Sequence, residues 1–490
     1  MTYRREIDGL RALAVLPVIL FHAGFPTFSG GFVGVDVFFV ISGYLITSII
    51  LAERQAGTFT LVGFYERRAR RILPALFVVM GVCSVFSWLW LLPSDMKMFS
   101  QSLVAVPAFA SNILFYLTSS YFEPAAELKP LLHTWSLSVE EQYYLLYPIM
   151  LLIAWRFGKR WIVVVLILLT GMSLAAAHYG STTDPSFTFF LLPTRGWEIL
   201  IGALVGFHAF RTSTDIPPPA AHSQSSVVRQ VLGILGLMLC AYGVWAFDAR
   251  TPYPSVYTLV PTIGTVCIIL FATQETLVGK LLGHTWLVGI GLISYSAYLW
   301  HQPLFALARH RSIEPPSNSL LYSLIVASLL LAYLSWKYVE TPFRCRQSFT
   351  RKQVFTIGVS CSVAFMAFGL IGYFNGGFPN RISNEVIAAQ RAQFDELGCM
   401  SEMGKYIPVA ESCIVGDKRN VRVALLGDSI AGTLSFELGN ALASHSLGLV
   451  NMSFGHCPPI LGVYRVDRGS THRCPEHNEE AFDYVKERND

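Results

Sequence analysis

The chain has 490 residues, of which 53% are hydrophobic and 14% are charged, and its formal net charge is +4. Soluble domains carry about 25% charged residues, so this composition excludes an ordinary soluble protein and favours a membrane protein. We expect no nucleic-acid partner. No Cys/His cluster has the spacing of metal ligands and no Gly-Lys phosphate loop is present, so no metal site is expected either.

The apolar segments predict an α-helical bundle that crosses the membrane many times. Eleven stretches are long and apolar enough to span a bilayer. A twelfth apolar stretch, 102–118, contains Pro107 and several polar residues, and we predict that it lies at the interface or re-enters. The predicted spans are 10–25, 32–52, 72–92, 137–155, 161–178, 188–207, 230–247, 257–274, 287–308, 319–336 and 353–374.

The distribution of lysine and arginine predicts the orientation. With 102–118 excluded from the spans, the loops on the N-terminal side hold 19 Lys and Arg, and the opposite loops hold 5. Counting 102–118 as a span would make the two sides equal, at 12 each. Cytoplasmic loops are enriched in these residues. The N-terminus is therefore predicted to be cytoplasmic and the chain after residue 375 to lie outside.

The first apolar stretch carries a titratable side chain. Arg11 precedes His22 by eleven residues, which on an α-helix is the same face and about 16 Å along the axis, and Asp8 lies within about 40° of that face. An ionisable group inside a span is a functional candidate by default. We interpret His22 as catalytic, the alternative being a histidine hydrogen-bonded within the bundle. Arg11 either binds a donor molecule or anchors the helix at the cytoplasmic face.

Further charges lie in or beside the spans. Asp36 follows glycines in "GFVGVDVFF" and is expected to face His22 and orient its imidazole, the alternative being a charge at a helix N-terminus. A cytoplasmic arginine cluster suits phosphate groups or anionic lipids. It consists of Arg67, Arg68, Arg70 and Arg71.

The remaining membrane-proximal charges have simpler interpretations. Arg195 and Glu198 are three residues apart on one predicted helix and are expected to pair with each other. Glu340 is expected at the cytoplasmic end of a span, facing water. Taken singly, His133 and His301 are interpreted as structural, and no chemistry is assigned to them.

After the last span the pattern becomes that of an α/β domain. Residues 421–426 form a β-type run, Gly427-Asp428-Ser429 a turn, 430–443 a helical pattern and 447–454 a second strand. A serine on such a turn can act as a nucleophile beside backbone N–H groups, or it can simply cap the helix. No Asp-x-x-His follows to supply a base, so Ser429 is either the nucleophile of an incomplete domain or inactive.

Four cysteines lie beyond the last predicted span. In an oxidising compartment they are expected to form two disulfides. Four cysteines allow three pairings, and the sequence leaves the choice open. They are Cys399, Cys413, Cys457 and Cys474.

Seven stretches together resemble the acyltransferase family 3 of polytopic membrane proteins. The tail from 421 resembles the start of an SGNH-type domain, and the fused arrangement is similar to bacterial O-acetyltransferases that modify lipopolysaccharide O-antigen. The stretches are "DGLRALAVLPVILFH" (8–22), "GGFVGVDVFFVISGYLI" (30–46), "RRARRILP" (67–74), "LLHTWSLSVEEQYYLLYP" (131–148), "RGWEILIG" (195–202), "SYSAYLWHQP" (294–303) and "VETPFR" (339–344).

The resemblance implies an activity and a location. An acetyl group would pass from cytoplasmic acetyl-CoA to a hydroxyl of an extracytoplasmic glycan, with lipid-linked O-antigen as the expected acceptor, at the bacterial inner membrane with the tail in the periplasm. The family's Arg-x10-His motif matches Arg11 and His22, and the resemblance also makes Glu340 a site residue. The tail departs from the family because Ile430 follows the serine, where fused members often carry His, and because the later Asp-x-x-His is absent.

These observations combine into one hypothesis. The predicted fold is a helical bundle of ten family spans and an eleventh linking span, followed by a partial SGNH-like α/β domain. The predicted domains are 1–345, a linking helix at 346–375, a linker at 376–420 and the partial domain at 421–490. The predicted catalytic residues are His22, Asp36, Glu340 and Ser429, and acetyl-CoA is expected at Arg11, Arg67, Arg68, Arg70 and Arg71.

Three alternatives to this hypothesis remain open. The acceptor could be peptidoglycan or another glycan. The protein could be a proton-coupled secondary transporter, with His22, Asp36 and Glu340 as a proton relay. It could also be a non-catalytic scaffold for polysaccharide assembly, in which substitutions of the charges are tolerated. Release of coenzyme A separates the enzyme from the other two.

Overall fold

The computed structural model divides the chain into two compact units, residues 1–378 and 379–490. It describes residues 3–118, 126–214, 226–312, 314–383, 386, 399–401, 406–455, 457–462 and 473–488, with the main chain alone at 211–214 and 226. The predicted linker 376–420 lies largely outside the described residues.

The first unit is built from helices. Each of the eleven predicted spans overlaps one of them, which confirms the predicted helical bundle. The helices are α1 Arg5–His22, α2 Gly34–Gln55, α3 Leu61–Trp90, α4 Pro93–Ala105, α5 Ser111–Leu117, α6 Thr134–Ala154, α7 Lys159–Thr183, α8 Pro185–Phe190, α9 Leu192–Thr214, α10 Ser226–Ala246, α11 Leu259–Phe271, α12 Leu277–Leu282, α13 Thr285–Arg311, α14 Asn318–Ser335, α15 Thr341–Arg344 and α16 Arg351–Phe374.

The lengths and the apolar character of the helices make this a multi-pass membrane protein. In the described part of the chain, seven helical segments are long and apolar enough to cross a bilayer. The number of spans therefore stays a prediction. The doubtful stretch 102–118 is divided between α4 and α5, with Phe109 at a positive φ of 51° between them. Neither helix, of 13 and 7 residues, has the length of a span.

Glycines allow the central helices to approach closely. A Cβ at Gly43 on α2 would lie 1.8 Å from the carbonyl oxygen of Ile199 on α9, and one at Gly202 would lie 2.0 Å from that of Val40. The same closeness occurs where α13 crosses α1, since a Cβ at Gly291 would lie 1.8 Å from the carbonyl oxygen of Asp8. Small residues at helix crossings are how bundles pack in lipid, where water does not drive the helices together.

The second unit contains a small α/β fold. Strand β2, Val421–Gly427, leads into α17, Ser429–Ala443, and β3, Gly448–Ser453, runs parallel to β2. This confirms the predicted β-α-β order. Strand β1, Cys413–Gly416, pairs antiparallel with β3 and lies in the segment predicted as linker. Helix α18 follows at Cys474–Lys486.

Both predicted disulfides are present. Cys399 pairs with Cys413, and Cys457 pairs with Cys474. The pairing is sequential, the one feature that the count of cysteines left open. The first bond joins β1 to the chain that precedes it, and the second joins the end of β3 to the start of α18.

Gly43→Ala is expected to destabilise the membrane unit, because the added methyl group would overlap the backbone of α9. Overpacking of this kind costs about 1–3 kcal/mol. The measurement is the thermal unfolding midpoint in lipid nanodiscs. Gly171→Ala on α7 is the matched control, since a Cβ there meets nothing within 4 Å. Equal midpoints for the two variants would contradict this account of the α2–α9 crossing.

Candidate active site

His22 is the last residue of α1, and its contacts come from α1 itself and from α13. Its Nδ1 lies 2.9 Å from the carbonyl oxygen of Val18, one turn earlier, and 3.3 Å from Nε2 of His301 on α13. Arg309, also on α13, donates from Nη2 to the carbonyl oxygen of His22 at 2.6 Å. A cation at a helix C-terminus satisfies a free carbonyl and complements the helix dipole. The ring is thus contacted at Nδ1 by its own helix and by α13, and Arg309 caps the end of α1.

Asp36 does not orient His22, which corrects the prediction. Its carboxylate is fully buried, accepts a hydrogen bond from the Tyr253 hydroxyl and pairs with Arg195 Nη2 at 3.1 Å. Arg195 also binds Glu198, at 3.0 Å, so the expected Arg195–Glu198 pair is present but is one part of a larger cluster. The cluster joins α2 to α9. Four aromatic rings face the guanidinium, those of Phe39, Trp135, Phe189 and Tyr253.

The structure brings together three histidines, two of which the sequence interpretation set aside. The ring centroid of His301 lies 5.0 Å from that of His22 and 5.5 Å from that of His133. His301 and His133 are buried, and neither ring nitrogen of His133 has a hydrogen-bond partner among the described residues. In the described part of the chain, no group of three His, Cys, Asp or Glu is arranged to hold a metal ion.

A cavity lies between the helices of the membrane unit, with about 890 Å³ of atom-free space that includes part of the open solvent at its mouth. At one end Arg11 is held by Asp8 at 3.2 Å, as its spacing on α1 predicts. Tyr298 also lines the cavity, and its ring packs against those of His133 and His301 at 5.4 and 5.3 Å. The polar residues lining the cavity include Arg11, Arg68, Arg71, Ser136, Glu140 and Tyr298.

The predicted arginine cluster divides into two pairs. Arg68 and Arg71 line the cavity, whereas Arg67 and Arg70 bind protein groups instead. Arg67 pairs with Glu53 at 2.7 Å. Arg70 is buried, binds Glu66 at 2.9 Å and donates to the backbone carbonyls of Phe343 in α15 and Phe349 before α16. These contacts indicate a structural role for Arg67 and Arg70.

Glu340 is buried, which corrects its predicted exposure to water. It ends a π-helical turn, Trp336–Glu340, and no part of it is exposed. Its carboxylate accepts a hydrogen bond from Ser296 at 2.5 Å and pairs with Arg344 at 2.5 Å. Ser296 is on α13, so Glu340 fixes the chain after α14 against the helix that carries His301. A role in chemistry for Glu340 stays a prediction.

In the second unit, Ser429 is the first residue of α17 at the carboxyl end of β2. The helix is capped by Asp428, whose side chain accepts from the backbone N–H of Ile430 at 2.9 Å, so the alternative of a serine cap is wrong. The half-buried Ser429 hydroxyl has no hydrogen-bond partner within the described residues. In the same unit, burial and then a hydrogen bond to Glu480 raise the pKa of Tyr406 to about 12.

Comparison with known protein families shows which families the two parts of the chain match. Residues 4–337 match the family described as "Acyltransferase domain", and residues 398–490 match "SGNH domain (fused to AT3 domains)". The chain belongs to this acyltransferase family. The acyltransferase domain includes the cavity and the three histidines, and the SGNH domain includes Ser429.

Named relatives agree with the family. The peptidoglycan O-acetyltransferase OatA of Listeria monocytogenes is 32% identical over 354 residues, 70% of this chain and 56% of the relative. YrhL of Bacillus subtilis, provisionally a peptidoglycan O-acetyltransferase, is 31% identical over 371 residues, 71% of this chain and 56% of the relative. A provisional O-acetyltransferase of Staphylococcus aureus is 28% identical over 464 residues, 88% of this chain and 74% of the relative. The chain spans little more than half the length of the first two. No solved structure matches it.

Two substitutions in the buried ion cluster are expected to lower the stability of the protein by different amounts. Arg195→Met leaves two buried carboxylates without their cation, and removing one partner of a buried pair costs about 3–5 kcal/mol. Asp36→Asn costs less, because Glu198 still balances Arg195. The measurement is thermal unfolding in nanodiscs. The account of this cluster is wrong if the two variants unfold at the same temperature.

Proposed function

We propose that this protein is a membrane O-acetyltransferase that takes an acetyl group from cytoplasmic acetyl-CoA and passes it to a glycan hydroxyl on the other side of the membrane. The single observation that carries the proposal is the cavity. It places Arg11, Arg68 and Arg71 together and extends to Tyr298, which packs against His301 beside His22.

The charges of the cavity suit coenzyme A. Arginine forks bind phosphate groups through paired charge-assisted hydrogen bonds, and three guanidinium groups suit the several phosphates of the molecule. Arg11 lies in the second turn of α1, near the helix end that is cytoplasmic in the orientation that the positive charges predict. The acetyl end of the donor would then point past Tyr298 toward His22.

His22 would act on the acetyl group in one of two ways. Its ring can attack the thioester carbon and carry the acetyl group, or it can act as a base for the incoming hydroxyl. The ring has the lone pair that either step requires, since Nδ1 is bound to the carbonyl oxygen of Val18 and Nε2 has no partner among the described residues.

Peptidoglycan is the proposed acceptor in place of O-antigen. The names of the first two relatives specify peptidoglycan, and their identity to this chain extends over about 70% of it. Ser429 would receive the acetyl group in the SGNH domain and pass it to the sugar, as a serine on a strand-to-helix turn can. The domain would lie outside the cytoplasmic membrane, where the two disulfides are stable.

Coenzyme A release from acetyl-CoA is the test of the donor reaction. The full chain in nanodiscs should release coenzyme A, and His22→Gln should lower the rate by about 10²–10⁴-fold, the usual contribution of a general base. Free coenzyme A is measured by chromatography, because the exposed Cys345 would react with a thiol dye. Wild-type protein that releases no coenzyme A, with or without glycan, would overturn the proposal and leave the transporter to be tested.

The divided arginine cluster gives a matched comparison. Arg68→Gln and Arg71→Gln are expected to raise the KM for acetyl-CoA by about tenfold or more each, because a hydrogen bond to a charged group contributes about 1.5–3 kcal/mol. Arg67→Gln is the control, since this neighbour pairs with Glu53 away from the cavity. A similar rise in KM for all three would show that general positive charge, and no specific site, attracts the donor.

The acceptor is tested by transfer. Peptidoglycan fragments should become O-acetylated, as detected by mass spectrometry, and Ser429→Ala should abolish the acetylated product. An O-antigen oligosaccharide supplied in the same way should remain unmodified. Acetylation of the O-antigen oligosaccharide alone would overturn the proposed acceptor.

A further inference from the structure

The contacts of the two neighbouring histidines fix which ring nitrogens carry protons. A carbonyl oxygen can only accept, so Nδ1 of His22, 2.9 Å from the Val18 oxygen, carries the proton of the neutral ring. By the same reasoning Nδ1 of His301, 2.6 Å from the Tyr298 oxygen, carries its proton. Nε2 of His301 therefore presents a lone pair.

That lone pair faces His22. The distance from His301 Nε2 to His22 Nδ1 is 3.3 Å, so the Nδ1–H of His22 is shared between the Val18 oxygen and the His301 ring. The two acceptors differ in chemistry, because a carbonyl oxygen can hold this proton but only an imidazole can take it. The Nε2 atom of His22 is left free to react.

We propose that His301 is the positioning base for His22: it accepts the Nδ1–H as the carboxylate of a serine-protease triad does but, unlike that carboxylate, it also takes the proton. The inference rests on the proposed function and concerns the same site. His301 holds the reactive orientation of the His22 ring and removes its Nδ1 proton when Nε2 forms a bond. Asp36, predicted for this role, is bound to Arg195 instead.

The step balances as follows in atoms and charge. The Nε2 lone pair of His22 forms a bond to the acetyl carbon, and the carbon–sulfur bond breaks with its electron pair on sulfur. The Nδ1 proton moves to Nε2 of His301, which leaves a neutral acetylimidazole and an imidazolium. The imidazolium then protonates the thiolate to give coenzyme A. If His22 instead accepts a hydroxyl proton at Nε2, the same Nδ1 proton moves to His301.

His301→Gln separates the two properties of the ring, because the amide can accept a hydrogen bond but cannot take a proton. Diethylpyrocarbonate is the probe, since it acylates the free nitrogen of a histidine without any coenzyme. Labelling of His22 is followed by peptide mass spectrometry, with the exposed His178 as the internal reference. We expect His301→Gln to slow the labelling of His22 relative to His178 by about tenfold or more.

The matched control is His310→Gln, the same change on the same helix. His310 bonds the carbonyl oxygen of Leu128 and lies beside Asp95. Its variant should label His22 at the wild-type rate, and His301→Glu, which restores a group able to take a proton, should recover much of the rate. Unchanged labelling in a folded His301→Gln protein, as judged by thermal unfolding, would overturn the proposal, as would equal slowing in both glutamine variants.

A measurement on wild-type protein covers the case of a variant that does not fold. Replacing H₂O by D₂O should slow labelling of His22 more than that of His178, because only the first is coupled to proton transfer. Equal slowing would overturn the proposal.

Release of coenzyme A in the same samples tests the proposed function separately. If labelling of His22 depends on His301 but no coenzyme A is released, the proposed function is wrong and the role of His301 as a base stands. If coenzyme A is released but labelling does not depend on His301, the proposed function stands and the role of His301 is wrong.

Discussion

The packing of α1 against α13 is the constraint on which the site depends. Only glycine fits at position 291, where a Cβ would lie 1.8 Å from the carbonyl oxygen of Asp8. The two helices therefore touch near the predicted cytoplasmic end, and at the other end the same pair brings His22 to His301. The histidine contact is thus a consequence of a backbone approach that small residues permit.

Buried charge in this bundle has two uses. One set of side chains joins helices to each other, as Arg195 does between α2 and α9 and as Arg70 does between α3 and the segment before α16. Each of these cations has carboxylate partners at hydrogen-bond distance, which offsets the cost of burial. The other set, the partly buried Arg11, Arg68 and Arg71, lines a cavity, and of these Arg11 also pairs with Asp8. A cation facing open space inside a membrane unit is the arrangement that an anionic ligand would stabilise.

Much of the fold was predictable because apolar length and the alternation of apolar and polar residues act locally along the chain. The eleven apolar stretches and the strand–turn–helix at Ser429 are of this kind, and both match the structure. Which buried charges pair with each other was not predictable in the same way. Asp36, on α2, has its ion-pair partner Arg195 on α9, and no local spacing relates the two. His301 was set aside because each histidine was judged alone, and no local spacing relates positions 22, 133 and 301.

The most direct measurement is a cryo-electron microscopy map of the full chain in nanodiscs with a non-hydrolysable acetyl-CoA analogue. This account predicts the phosphates at Arg11, Arg68 and Arg71, and the acyl carbon beside Nε2 of His22. Analogue density at any other place, or an acyl end directed away from the histidines, would contradict it.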